Sequence, residues 1–374
     1  MKFHSPTTSQ MPQSIKPFLV FLLLAIYFRC ASAATNQFKH WYPEFGFVFE
    51  RIHHSNCTAQ YATYLTAKRN SSNIDRWHGG GKTNSLDQPV VDCILQSTSE
   101  FIKSNMASAK VLLGLTPSIL ATLGSSADET SLLFIIARRP LLALCLAAGS
   151  PAVFPIRSFD YRDPIGALKE REGRLHPPKI PSGGDAVVMI VEYVVVFAAI
   201  ANVAMLSYQL GIQVPCTFTP HLTYLPLLWA FLSIIIHLSG APALHLRACV
   251  SSGRSCNSVL DWIKIQFTPL AKQRPIVVGL VQETYPFILV SLFTSIFTVC
   301  HVIYGTLAFS SMLFISVRDS VTVIGRYMAS VLRCRIILTY ELAALRDSFD
   351  VGTGYEVELQ PQSFNTKRDQ IQTW

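Results

Sequence analysis

The sequence predicts an all-α membrane protein, a polytopic transmembrane helix bundle with a small N-terminal ectodomain of unknown fold. Three observations carry that prediction. The first is a set of long apolar stretches at 186–212, 222–244 and 286–315, in which Glu192 is the only residue sure to be ionised at neutral pH. A hydrocarbon core of ~30 Å needs about 20 mostly apolar residues, and each stretch reaches that length. A soluble domain rarely needs three helices apolar on every face. The second is composition. Half of the residues are apolar, 14% are charged and the mean hydropathy is +0.34, which fits a membrane protein with sizeable polar segments and excludes a disordered chain. The third is the N-terminus.

Lys2 and Lys16 lie in a polar leader followed by the apolar 18–27 and then Ala31-Ser32-Ala33. A short apolar core ending in a small-x-small site has the form of a cleavable signal peptide, expected over 1–33 with cleavage after Ala33. An uncleaved signal anchor is the alternative, disfavoured because the run is short for a span. The following segment then starts in the lumen or outside the cell. Cys57 and Cys93 are the only cysteines between the leader and the first apolar run, and in an oxidising compartment they are expected to form a disulfide. Such a bridge closes a loop worth roughly 3–4 kcal/mol by the chain-entropy estimate.

Residues 34–110 read as the ectodomain. Its aromatic opening at 41–47 alternates enough to suggest a strand or packed loop. Two sequons follow, at Asn56 and at Asn70. Asn70 is the better glycosylation candidate, because Cys57 inside the first sequon is expected to be bridged. Residues 111–156 carry two shorter apolar runs, 111–123 and 140–156, separated by an acidic turn and Arg138-Arg139. Runs of that length suit re-entrant or interfacial helices as well as spans.

A basic, Pro- and Gly-rich loop at 157–185 precedes the span 186–212. After the span 222–244 comes a second polar loop, 245–285, with Cys249 and Cys256, and then the span 286–315. In 318–346, Val321, Ile324, Met328, Val331, Arg335, Leu338, Leu342 and Leu345 recur near helical spacing. This predicts an amphipathic interfacial helix with Arg326 and Arg333 turned to lipid headgroups. Residues 347–374 read as a disordered tail.

Two segments carry a resemblance. They are 138–164, RRPLLALCLAAGSPAVFPIRSFDYRDP, and the segment from His301, HVIYGTLAFSSMLFISVRDSVTVIGRYMASVLRCR. They resemble a group of uncharacterised polytopic membrane proteins of filamentous fungi. The resemblance covers about a fifth of the chain and implies a membrane protein of the secretory pathway, with no activity and no site residue attached to it.

Several chemistries are disfavoured by spacing. Gly79-Gly80-Gly81-Lys82-Thr83 lacks the first glycine of a P-loop, since Arg76 stands there. His78-Gly79-Gly80-Gly81 matches an oxyanion loop, but no Gly-x-Ser-x-Gly elbow exists to use it. His40, His53, His54 and His78 lack metal-site spacing. No cofactor and no metal is expected. The net charge of +8 is scattered among acidic residues, so anionic lipid rather than nucleic acid is the expected partner.

The intramembrane polar residues have more leverage, because ionisable groups at bilayer depth are costly and often functional. Glu192 lies about 9 Å into its span and His237 about 22 Å into the next, antiparallel one. The two depths coincide in a core of ~30 Å, so a Glu192–His237 pair is possible. Glu192 snorkelling to the near interface is the favoured alternative. Ser291, Thr294, Ser295, Thr298, His301 and Gly305 share one face of the third span, as expected of helix–helix packing.

The expected function is therefore that of a non-enzymatic receptor, adaptor or assembly subunit, with the lipid bilayer and other membrane proteins as partners. The alternative is a small-solute or proton-coupled transporter using Glu192, His237 and His301. The tail is expected in the cytosol, on the anionic leaflet that favours a basic surface helix. That placement needs 111–156 to cross twice or not at all.

Overall fold

The computed structural model describes residues 37–69, 87–155, 184–217, 222–251, 265–268, 270, 277–280 and 282–350. The leader 1–33, the sequon at Asn70, the glycine run at 79–81, Cys256 and the tail beyond Asp350 lie outside the described residues. The fold is predominantly α-helical. Its helices are α1 (Pro43–Ser55), α2 (Thr58–Arg69), α3 (Gln88–Gln96), α4 (Glu100–Leu123), α5 (Ala127–Ser131), α6 (Pro140–Gly149), α7 (Asp185–Gln213), α8 (Leu225–Arg247), α9 (Tyr285–Ser310) and α10 (Val317–Asp350). A π-turn, Leu132–Ile136, joins α5 to α6. Strands β1 (Ala248–Ser251) and β2 (Val277–Leu280) pair antiparallel, Ala248 opposite Leu280.

Four helices are long and apolar enough to cross a membrane: Glu100–Leu123, Ala186–Gln213, Leu225–Arg247 and Tyr285–Ser310. Three coincide with the expected spans. The fourth differs from expectation, because 111–123 is the second half of a helix that starts inside the expected ectodomain. The other short run keeps helix only over Pro140–Gly149, where Ser150 turns extended ahead of Pro151. The third apolar stretch leaves helix at Ser310. Residues beyond it turn back, with the Leu313 amide on Pro215 O at 3.0 Å and the Thr217 amide on Ser311 O at 2.8 Å.

Two compact units divide these helices. The first draws on Met1–Leu120, Ala201–Phe231 and His301–Ala329, the second on Ala121–Ile200, Leu232–Cys300 and Ser330–Trp374.

In the first unit, α1 to α3 form a small helical layer. The opening at 41–47, expected as a strand or loop, is instead the start of α1. Pro43 sits in its first turn with Glu44, and His53 and His54 close its last turn, which suits both the fixed φ of proline and the helix dipole. Phe45, Phe49 and Ile52 then fall on one face at helical spacing, a period that overrides the short aromatic alternation. Phe49, Ile52, Tyr64, Val90 and Ile94 form a core with Ile102 and Met106 of α4 and with Leu313 and Phe314. Cys57 and Cys93 are joined by the expected disulfide, Cα atoms 5.9 Å apart, tying α2 to α3. Phe314 sits in this core at φ 59°, a conformation disfavoured for a bulky residue, with ring contacts to Trp41 at 5.4 Å and Phe49 at 5.1 Å.

In the second unit a reciprocal capping box starts α5. The Glu129 amide donates to Ser126 Oγ at 3.1 Å, and the Ser126 amide donates to Glu129 Oε2 at 3.0 Å. The core joins Leu132, Leu133 and Ile136 of the π-turn, Leu142 and Leu146 of α6, Val196 and Ala199 of α7, and Cys334, Leu338, Leu342 and Leu345 of α10.

Helix α10 is 34 residues long, about 51 Å at the standard rise. Its buried face carries Val323, Tyr327, Val331, Cys334, Leu338, Glu341 and Leu345, while Val321 of the expected stripe is exposed. Arg326, expected at headgroups, is instead bound to α7, through Nε to Asn202 Oδ1 at 3.1 Å and an amine nitrogen to Gln209 Oε1 at 3.0 Å.

Candidate functional site

The second unit encloses a charge cluster around Arg139. The residue precedes Pro140 at the start of α6, and Arg138 before it has φ 54°, so the backbone turns sharply at this point. Gln266 closes the turn. Its amide nitrogen donates to Arg138 O at 2.8 Å, and its side-chain oxygen accepts from the Leu141 amide at 3.1 Å, which caps the otherwise orphaned N-terminus of α6.

The Arg139 guanidinium then faces inward. Nε donates to Gln266 O at 3.3 Å and one amine nitrogen to Glu192 Oε2 of α7 at 3.0 Å. Its other amine nitrogen stands 2.7 Å from Glu341 Oε2 of α10, an ion pair without hydrogen-bond alignment. Tyr193 OH donates to Gln266 O at 3.2 Å. Arg139 and Glu341 are fully buried and Glu192 is 4% exposed. Charges so enclosed need a partner, because desolvation of an unpaired ion costs several kcal/mol.

Glu192 therefore neither snorkels nor meets His237. Its partner lies on the segment ahead of α6, which the sequence presents only as a polar separator between apolar runs. His237, also in the second unit, has its Nδ1 2.8 Å from Thr130 Oγ1. The Thr130 hydroxyl also lies 2.9 Å from Ser126 O. His301 belongs to the first unit. Its Nε2 donates to Trp229 O at 2.9 Å, and its ring stacks on the indole at 5.3 Å and 7°. The polar face of α9 is engaged with α8 in both units, since Thr294 and Ser239 hydroxyls also meet at 2.9 Å. Each of the three expected intramembrane residues thus has a separate partner.

Sequence reasoning missed Arg139, Gln266 and Glu341. An arginine flanked by apolar runs on both sides, and a glutamate inside the periodic stripe of α10, were the available signals. It also missed Glu129, which forms a two-pronged ion pair with Arg335 of α10, one contact at 3.0 Å. Asp128 beside it has its carboxyl pushed up to about 6, by burial first and by the Glu129 charge second, against the opposing pull of Arg247.

Among the described residues, no group of three or more His, Cys, Asp or Glu side chains is placed to hold a metal ion. Asn56 is exposed, and its amide donates to Ser97 Oγ at 3.3 Å. No protein family, curated protein or solved structure matches the chain.

Proposed function

We propose that this chain is a multi-span integral membrane protein of the secretory pathway, acting as a receptor, adaptor or assembly subunit rather than a catalyst. The supporting observation is the use made of its buried polar groups. Glu192 is held on Arg139, His237 on Thr130 and His301 on Trp229, each contact tying two segments of the fold together. Polar groups that fix helices in place suit a framework for protein–protein assembly. The apolar faces that α4, α7 and α9 turn outward, with Val111, Phe197 and Phe293 among them, suit lipid or a partner span.

Two measurements test this. In native gels of gently solubilised membranes, the 41.5 kDa chain is expected in an assembly larger than itself plus its detergent. In sealed proteoliposomes it is expected to add no solute or proton flux over empty vesicles. A monomeric chain that conducts solute would overturn the proposal. The second reading, proton-coupled transport, draws on one observation, the surplus of carboxylate over guanidinium at Arg139.

A further inference from the structure

That surplus has a chemical consequence independent of either functional reading. Full ionisation gives the cluster one positive charge, on Arg139, and two negative charges, on Glu192 and Glu341. Each carboxylate uses one oxygen on the guanidinium. Glu192 Oε1 and Glu341 Oε1 accept no hydrogen bond among the described residues, although both side chains are more than nine-tenths buried.

The nearby donors among the described residues are directed elsewhere. Tyr193 OH of α7 and Arg139 Nε both point to Gln266 O, and the Gln266 amide points to Arg138 O. Cys145 of α6, in the same core, brings no cation. Meanwhile both carboxyl groups stand on the one guanidinium, Glu192 Oε2 3.0 Å from one amine nitrogen and Glu341 Oε2 2.7 Å from the other. Two carboxylates that share one buried site do not both ionise readily, and a proton placed between them supplies the missing donor.

We infer that Glu192 and Glu341 bind one exchangeable proton between them, with Arg139 balancing the carboxylate charge that remains. The step is a simple transfer. Hydronium gives its proton to one carboxylate oxygen, leaving water and a neutral carboxyl that donates to the other carboxylate. The cluster then carries no net charge.

Infrared spectroscopy of the purified full chain in lipid nanodiscs at neutral pH tests this. The expected result is a protonated-carboxyl C=O band that shifts on transfer to D2O, and that disappears in both Glu192→Gln and Glu341→Gln. It should also disappear from the wild type as pH is raised, without unfolding. Each single Gln keeps the shape of a protonated carboxyl, so both variants are expected to melt near the wild-type temperature; if one fails to fold, the other decides. The inference is overturned if the wild type shows no such band, or if the band survives both substitutions. The readout involves neither flux nor assembly, so its failure is distinct from failure of the proposed function.

Discussion

Arg139 and Glu341 meet at 2.7 Å with both side chains at zero exposure, and among the described residues no other charge pair of the second unit lies so far from solvent. Such a pair contributes little over an apolar replacement, yet removal of one partner alone leaves an uncompensated buried charge. Arg139→Ala is therefore expected to destabilise by about 3–5 kcal/mol. Adding Glu192→Gln and Glu341→Leu should recover most of that loss. Thermal melts of detergent-solubilised protein check both expectations, and a single variant as stable as the wild type would refute the first.

Gly305 of α9 is a second fixed point. A Cβ built there lies 2.4 Å from Trp229 Nε1 and 2.8 Å from Pro117 Cγ, closer than real contacts allow. Trp229 is fully buried between the His301, Phe309 and Tyr327 rings, so it has no direction in which to yield. Gly305→Ala is expected to destabilise by about 1–3 kcal/mol, the usual range for overpacking. Gly325 has open space around it, so Gly325→Ala should be neutral or stabilising, and comparison of the two melting temperatures checks the assignment.

The positions of the apolar helices were legible in the sequence because composition alone marks them. The Cys57–Cys93 bond was legible by elimination within one compartment. The charge cluster was not. Arg139, Glu192 and Glu341 are far apart in sequence, and hydropathy reads an arginine as a segment boundary whether it faces water or an enclosed carboxylate. Helix α10 was legible as a helix, but the partners of its charges were not, for a related reason. Its charges lower the mean hydropathy, whereas in the fold Arg326, Arg335 and Glu341 face protein partners. The short aromatic alternation of 41–47 gave the wrong period because seven residues do not outweigh Pro43 and Glu44 at a helix start.

Asp128 predicts a pH dependence of stability. Its carboxyl is pushed up to about 6, so the folded state binds that proton more tightly than the unfolded chain does. The contribution is fully present below the unfolded value near 3.8 and is lost as pH rises through about 6. Asp128→Asn should remove the dependence, leaving the variant more stable than the wild type at pH 7 by about 1–2 kcal/mol after allowance for partial exposure. Melting curves of both proteins at pH 4 and pH 7 check the sign. A gap that narrows on going to pH 7 would contradict it.

The disulfide predicts a loss confined to the first unit. Cys57 is fully buried and the bridge joins residues 36 apart, so Cys57→Ser combined with Cys93→Ser should destabilise by roughly 3–4 kcal/mol. Faster proteolysis between α2 and α3, with α7 to α9 cut at the wild-type rate, is the expected pattern.

If the ectodomain is lumenal, as proposed, and the four helices long and apolar enough to span, α4, α7, α8 and α9, all cross, the chain returns to the ectodomain side before α10. The start of α10 agrees, since the Val317 amide donates to Asn105 Oδ1 at 3.0 Å and Arg318 pairs with Glu44 at 3.2 Å. Within each unit α10 packs against α7, a helix apolar enough to span. In the first unit Tyr327 OH meets Ser207 Oγ at 2.9 Å. In the second, Cys334 shares a core with Ala199, while Glu341 reaches Arg139 beside Glu192, so the two helices run antiparallel. The outward face of α10 carries Val321, Leu332 and Ile336, with Arg318 at its start and Arg333 as exposed charges. A 34-residue helix is long enough to make the return crossing, and Arg326, Arg335 and Glu341 within it are bound to protein partners. We therefore expect α10 to be a fifth crossing that hydropathy does not detect. A tag placed after Trp374 should be digested by protease added to sealed microsomes, while the ectodomain survives until detergent is added. Protection of the tag under the same conditions would place α10 flat on the ectodomain side and leave the four apolar helices as the only crossings.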